Sequence, residues 1–537
     1  MARGTFSPEG TLQNTVVLLD GRANHPREIL GNKGHGIEAM RRHHLPVPPA
    51  FCITTKVGVR YLAEPEATMD AVWDDVLDGM AWLEQQTVRT FGRGPRPLLV
   101  SIRSGATHSM PGMMDTILDL GINDAVERTL SAAGDAAFAA DTRRRFDHMY
   151  RRIVGESVSA DPYAQLRAGI KAVFDSWNSP RAVAYRNHYR LGNQGGTAIV
   201  VQAMVFGNNG PRSGSGALFS RNPITGAREP FGEWLPSGQG DEVVSGSVDV
   251  EPISALRVAQ PGVYNELLDA ARSLERLASD VQEIEFTVEE GTLWLLQTRA
   301  AERSAQAAVR LALQLRDEGL IDDAEALARV TRAHVETLLL PALQPEARLS
   351  APLLATGLPA CPGVVTGTAY TDVDEALEAA ERGERVILVR DHTRPEDVLG
   401  MLAAQGIVTE VGGAASHAAV VSRELGRVAV VGCGRGVAAS LAGRQITVDG
   451  AEGEVREGNL SLSAWSENNT PELRELGEIA RRISPLRAHA TGDHPRLDDT
   501  SDAAVRTAMD TGQTDVVSAT PLITMLTALR LAGRATG

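Results

Sequence analysis

Between residues 352 and 457 the sequence alternates strand-like and helix-like segments with a regularity that leaves few folds open. Short apolar runs at 363–369, 385–389, 406–409, 429–431 and 445–449 are separated by helical patterns at 373–382, 395–402 and from residue 417 onward. Such alternation predicts a compact α/β domain. Inside it, Gly412-Gly413-Ala414-Ala415-Ser416-His417 sets a glycine turn before a helix of small residues. Val420, Val421 and Leu425 supply its apolar side, while Ser422, Arg423 and Glu424 are polar. A histidine at a helix start lies beside free N–H groups and the positive end of the helix dipole. That place suits an anion, including a phosphoryl group carried on the imidazole. The alternative is a histidine that only hydrogen-bonds its own turn.

The 537 residues allow roughly three or four domains. A net charge of −15 argues against a general nucleic-acid or membrane-surface binder, because phosphate backbones and anionic lipids are repelled overall. Cys52, Cys361 and Cys433 are odd in number and widely spaced, which predicts reduced, buried thiols rather than a disulfide framework or a metal site. The first ten residues lack the apolar stretch of a signal peptide, and no uncharged span would cross a bilayer. A cytoplasmic protein is the expectation.

Upstream, a helix is predicted over 66–93 and a buried strand over 98–102. Residues 122–192 look like a helical insertion, with Arg143-Arg144-Arg145 expected on a solvated face. Strands return at 197–206 and 217–219, and a helix at 262–278. A hairpin of 284–288 and 293–297 closes at Glu289-Glu290-Gly291. Helices follow at 302–318 and 322–338, before a connector bearing Pro341 and Pro345. After residue 458 the chain turns polar, but 519–531 is apolar enough to dock.

Four clusters there could carry chemistry. In Gly31-Asn32-Lys33-Gly34-His35-Gly36 the glycines let backbone and ammonium approach a phosphate together. Arg103, just after a strand in Ser101–Ala106, could grip phosphate oxygens in bidentate fashion, or form an ordinary salt bridge. The following Ser109-Met110-Pro111-Gly112-Met113-Met114-Asp115-Thr116 reads as a loop with a task. The third cluster, 207–216, is rich in glycine and hydroxyls. It fits a phosphate-covering loop and a plain hairpin turn equally well. In the fourth, Glu283 and Glu285 share a strand face by their period of two, and Gln297 on the returning strand can reach it with Arg299 nearby. Hard oxygen ligands in that setting suit Mg²⁺; the alternative is a solvated strand face.

From about residue 15 to 460 these phrases, with Pro46-Val47-Pro48-Pro49, 171–185, 204–225, 239–246 and 356–367, resemble the pyruvate, phosphate dikinase family. The resemblance implies an α/β and α+β multidomain protein. An ATP-grasp nucleotide-binding domain would span 1–340, with the helical insertion at 122–192. A linker at 341–351, a swivelling phosphohistidine domain at 352–460 and a tail of unassigned role at 461–537 would follow. By matching position, Lys33, Arg103, Asp241, Glu242, Glu283, Glu285, Gln297 and Arg299 would hold ATP and Mg²⁺, with Glu285 and Gln297 as metal ligands. Ser215 and Gly216 would lie on the loop over the phosphates, and His417, assisted by Arg299, would carry the phosphoryl group. ATP and inorganic phosphate would give AMP, pyrophosphate and phospho-His417. The family pattern is broken in four places. Glu283 replaces aspartate, Ser215 replaces threonine, Asp241-Glu242 inverts Glu-Asp, and Ala414-Ala415 replaces Met-Thr. Ala415 lacks the hydroxyl whose phosphorylation regulates plant members.

The family's second half is a TIM barrel that binds pyruvate and phosphoenolpyruvate, and residues 458–537 are too few to build one. The first expectation is therefore transfer to pyruvate through a barrel on another chain. A second is a stand-alone phosphotransferase with a different small-molecule acceptor, as in the related rifampin phosphotransferase. A third is a non-catalytic ATP-binding regulatory subunit, which the retained charged side chains disfavour.

Overall fold

The computed structural model describes residues 15–107, 110, 112–133, 136–189, 191, 196–245, 248–339, 342–343, 345–460, 462–463, 467 and 470–533. The amino-terminal ten residues, Ser109, Pro111 and Pro341, all used above, lie outside them.

Two five-stranded antiparallel sheets build the first 300 residues. One runs in the order Val16–Leu18, Ala50–Ile53, Thr197–Ala203, Val100–Ala106, Thr116–Leu120. Its strands are apolar on both faces. Ile199 and Val201 face a helical layer with Leu166, Ile170 and Phe174, while Ala198 and Val200 face the other way, towards Leu30 and Ile37. Of the helices predicted over 122–192, Asp124–Ala132, Ala136–Val154 and Pro162–Asp175 form that layer, while Pro180–Tyr189 packs through Ala182 and Tyr185 with residues of the 353–457 segment. The second sheet runs Glu251–Pro252, Phe231–Pro236, Gly214–Phe219, Gln282–Glu289, Thr292–Ala300. Leu218, Trp234, Ile284, Phe286 and Leu295 form its apolar face, covered by the helix Pro261–Ala278. The opposite face carries the polar residues discussed below.

Residues 353–457 form the predicted α/β domain around an eight-stranded sheet. Val364–Tyr370, Val386–Arg390, Gly406–Thr409 and Val428–Val431 pair in parallel, and helices, including His417–Leu425, make the crossovers. The domain's first strand, Leu353–Thr356, pairs with its last, Glu454–Glu457, so the chain arrives and leaves at one edge. Just outside, Ala342–Leu343 pairs with Leu462–Ser463.

The described residues of the tail form helices and a short strand pair. Its apolar segment is the helix Pro521–Leu531, whose Leu522, Met525 and Leu529 share a core with Val309, Leu327 and Val335 of the earlier helices. A short parallel pair, Arg487–His489 with Asp515–Val517, packs beside it.

Several elements depart from expectation. The helix expected over 66–93 is Pro65–Thr87, stopped where Val88 turns left-handed (φ 53°). The helix expected over 322–338 is two, Asp323–Ala328 and Arg332–Leu338, because Thr331 caps the second. Gly31–Gly36 is not a loop but part of the helix Arg27–Arg42, kinked at Gly31 (φ 66°). There the helix comes so close to the Gly105 carbonyl that a side chain would collide with it.

Candidate functional site

Lys33, Arg103, Glu283, Glu285, Gln297 and Arg299 converge. The hairpin register pairs Glu285 with Gln297 and Glu283 with Arg299, and a bulge after Glu285 keeps all four on the sheet's polar face. Arg103 reaches across from the other sheet. Its Nη2 donates to Glu285 Oε2 at 2.6 Å and to Gln297 Oε1 at 3.0 Å, and Nη1 donates to the Leu296 carbonyl at 3.3 Å. Arg299 donates through Nε and Nη2 to the two oxygens of Glu283, at 3.1 and 2.9 Å. Lys33 stands among these cations; burial first, and then Arg103 and Arg299, lower its ammonium to about 8 against the pull of Glu285. Burial alone would raise Glu285, but Arg103, Arg299 and Lys33 outweigh it and hold the carboxylate below its ordinary range. The cluster has more cationic than anionic groups, and is arranged for a polyanion.

The oxygens of Glu285 and Gln297 both point at one guanidinium nitrogen. Two converging hard donors on neighbouring strands fit Mg²⁺, which keeps several of its waters. Arg103 Nη2 occupies the point on which the two oxygens converge.

Asp241 and Glu242 lie apart from these residues, in the helix Gly240–Ser245. Glu242 accepts from Arg145 Nη2 at 2.8 Å and from the Gln239 N–H at 2.9 Å. Burial raises the Asp241 carboxyl, and burial together with Asp241 pushes Asp119 up to about 8. Among the described residues neither Asp119 Oδ1 nor Asp241 Oδ1 has a hydrogen-bond partner. The arginine triplet is thus not simply a solvated face. Arg144 is 74% exposed, but Arg145 bridges Glu242 and Asp141, because successive helix positions point in different directions.

Ser215 and Gly216 are not on the loop. They belong to the strand Gly214–Phe219, opposite Thr287 and Phe286, and Ser215 Oγ bonds Thr287 Oγ1 at 3.0 Å. The 207–213 segment joins the two sheets and folds over Ser215 at Gly207, which accounts for the glycine there.

His417 is the first residue of its helix, whose N-cap Ser416 accepts from the Ala419 N–H. His417 is 7% exposed, and burial lowers its ring to about 4, so it is neutral at physiological pH. Nδ1 lies 3.0 Å from Thr393 Oγ1; among the described residues Nε2 has no hydrogen-bond partner. Gly112 of the nucleotide-side body lies over that edge of the ring, so close that a Cβ there would stand 2.8 Å from Cδ2 and 3.1 Å from Nε2. Four residues further on, Thr116 pairs with Arg103, so the Met-rich loop links the ring to the cationic cluster. Arg181 holds this loop through the Met113 carbonyl (3.1 Å) and Asp115 (2.6 Å), and also meets Glu396 (3.3 Å) beside the histidine. Thr393, Arg181 and Gly112 were not singled out by sequence as partners of His417; the odd composition of the loop was the single hint. On the same helix Glu424 accepts from Tyr185 Oη, and burial pushes its carboxyl up to about 7.

A buried, neutral imidazole thus stands on one body, and a cluster rich in cations on the other, joined by the loop from Gly112 to Thr116. Residues 70–263 match the pyruvate phosphate dikinase AMP/ATP-binding domain, and residues 382–453 match the mobile domain of PEP-utilising enzymes. The chain carries these two domains of the pyruvate, phosphate dikinase family. It is 37% identical to pyruvate, phosphate dikinase of Clostridium symbiosum, over 87% of this chain and 60% of that one. It is 39% identical to pyruvate, phosphate dikinase 2 of Zea mays (81% and 55%) and 39% identical to the Rhizobium meliloti enzyme (81% and 56%). The chain thus spans 55–60% of the length of these relatives. An NMR solution structure of Enzyme I is similar over 17% of this chain and 36% of that one at 30% identity, with a TM-score of 0.13, too low to bear on the fold. Among the described residues no helix is long and apolar enough to cross a membrane.

Proposed function

We propose that this chain is an ATP-dependent phosphotransferase of the dikinase type in which His417 takes a phosphoryl group from ATP. The observation that carries the reading is the state of the ring: neutral, held at Nδ1, with Nε2 unengaged beside the loop that leads to Arg103. In the tautomer whose Nδ1–H donates to Thr393 Oγ1, the Nε2 lone pair is the nucleophile. Its attack on the β-phosphorus breaks the bond to the α,β-bridging oxygen. AMP leaves and a pyrophosphoryl group stays on Nε2. Inorganic phosphate then attacks the terminal phosphorus, pyrophosphate departs and phospho-His417 remains.

Lys33, Arg103 and Arg299 offset the charge gathering on the transferred oxygens, with Glu283 aiming Arg299. Asp241 and Glu242 stand apart from this cluster, and Ser215 and Gly216 contribute through the strand Gly214–Phe219 that pairs with the Glu283–Glu285 strand. Glu285 and Gln297 would hold Mg²⁺, which when bound neutralises part of the polyphosphate charge. On this reading residues 1–340 are an ATP-grasp domain with its helical insertion at 122–192, 341–351 a linker, and 352–460 a swivelling phosphohistidine domain in a cytoplasmic enzyme. Onward transfer to pyruvate needs a pyruvate- and phosphoenolpyruvate-binding site, which lies outside the two matched domains.

The test is incubation with ATP labelled at the β- or the γ-position, with and without phosphate. β-Label should stay on His417 after phosphate removes the γ-label as pyrophosphate, and His417→Asn should take neither. A wild-type chain that acquires no label from either would sink the reading.

A further inference from the structure

The polar face of the second sheet also holds the histidine turn. Glu233, on the strand Phe231–Pro236, is 6% exposed, and its carboxylate accepts the N–H groups of Ala414 and, at 3.1 Å, Ala415. Gly413 has to be glycine in this arrangement, since a Cβ would fall on the Glu233 carboxylate. From the other side Arg423 Nη2 donates to the Ala414 carbonyl at 2.7 Å, with its guanidinium 5.8 Å from the centre of the Phe219 ring. Ala415 itself packs with Ala217 and Phe219. Burial raises the Glu233 carboxyl, and the two N–H groups pull it back towards the charged form.

The sheet register gives this contact its meaning. Glu233 pairs with Ala217, Ala217 with Glu285, and Glu285 with Gln297. The four form one cross-strand row on one face. At about 4.8 Å per strand, the backbone at Glu233 lies about 10–14 Å from the backbone at the proposed Mg²⁺ donors, a spacing set by the sheet's hydrogen bonds.

We propose that Glu233 is a positioning residue: it docks the Gly412–His417 turn on the nucleotide-binding sheet and so sets the imidazole in register with the bound polyphosphate. It touches neither ring nor nucleotide, and acts through the Ala414 and Ala415 amides. This inference rests on the phosphoryl-transfer reading of His417.

The test uses the full chain with Glu233→Ala, Glu233→Gln and Gly413→Ala, the last reaching the same contact without altering the sheet. Amide exchange is measured at Ala414 and Ala415, and labelling of His417 is measured against ATP concentration. In Glu233→Ala and Gly413→Ala the two amides should exchange at least tenfold faster, while those of Gln282–Glu289 keep their wild-type rates. Labelling should slow tenfold or more, with half-saturating ATP within twofold of wild type. Glu233→Gln, which keeps one acceptor, should fall between. Unchanged exchange at Ala414 and Ala415 in Gly413→Ala, or labelling at the wild-type rate in both Glu233→Ala and Gly413→Ala, overturns the proposal. If the wild-type chain takes no label at all, the phosphoryl reading falls, and the exchange rates still decide whether Glu233 docks the turn.

Discussion

Replacing Lys33 by methionine should stabilise the nucleotide-free protein while destroying its grip on ATP. The ammonium is desolvated and faces Arg103 and Arg299, with Glu285 as counter-charge. Its fall from 10.5 to about 8 corresponds, at about 1.4 kcal/mol per tenfold change in proton affinity, to an upper bound of about 3 kcal/mol. Lys33 is partly open to solvent, so screening reduces this, and about 1–3 kcal/mol is the working range. At about 2–4 °C per kcal/mol, the methionine variant should melt about 2–12 °C higher at pH 7. The sign of the pH dependence is fixed. The unfolded chain holds the proton up to 10.5 and the folded one only to about 8. The penalty is therefore complete below pH 8, shrinks as the folded state sheds its proton first, and vanishes above 10.5. Thermal melts of both proteins without nucleotide from pH 7 to 10, together with ATP titrations at pH 7, are the assay. A variant that melts lower at pH 7, or a gap that does not close with rising pH, would refute the electrostatic account.

Because burial holds His417 near 4, the docked ring's NMR shifts should not titrate near 6.5. A midpoint near 6.5 would show the ring exposed. The buried site favours the neutral ring, so acidification from 6.5 towards 4 should weaken docking of the 353–457 domain, read as faster exchange at Ala414 and Ala415. Gly112→Ala places a methyl 2.8 Å from His417 Cδ2 at a left-handed position (φ +71°). A displacement of the ring by up to 1 Å should slow labelling by about 10–100-fold, with ATP binding unchanged. Met525→Ala empties a fully buried site between the tail and the helices of 305–338, and should cost about 2–5 kcal/mol. Protease sensitivity of the tail would report it, and unchanged resistance would show that the packing contributes little.

Local pattern made much of this molecule legible. Gly406–Thr409 and Gln445–Asp449 have the predicted bounds because each is a run of β-formers between turn signals. The Glu283–Arg299 hairpin follows from its period of two and from the Glu289-Glu290-Gly291 turn. The edge strands Leu353–Thr356 and Leu358–Cys361 were missed: separated by one glycine and interrupted by Pro359, they are strands only because a finished sheet offers them partners. The helix through Lys33 was hidden because three glycines argue locally for a turn, whereas Gly31 and Gly34 serve close packing against Gly105 and Cys52. The site divides in the same way. Residues drawn to phosphate chemistry by type and strand face were identifiable. Thr393, Arg181, Asp119 and Glu233 act through contacts made across 24 to more than 180 positions of sequence, and no local spacing announces them.

The pairing of Ala342–Leu343 with Leu462–Ser463 has a mechanical consequence. A single-stranded tether between domains allows rotation about every bond it contains. Here the two strands that lead into and out of the 353–457 domain are bonded to each other, and both are rooted in one helical layer, through 305–338 before and 471–531 after. A two-stranded link of this kind resists twisting about its long axis more than a single strand does, so the pairing restricts the orientations open to the domain.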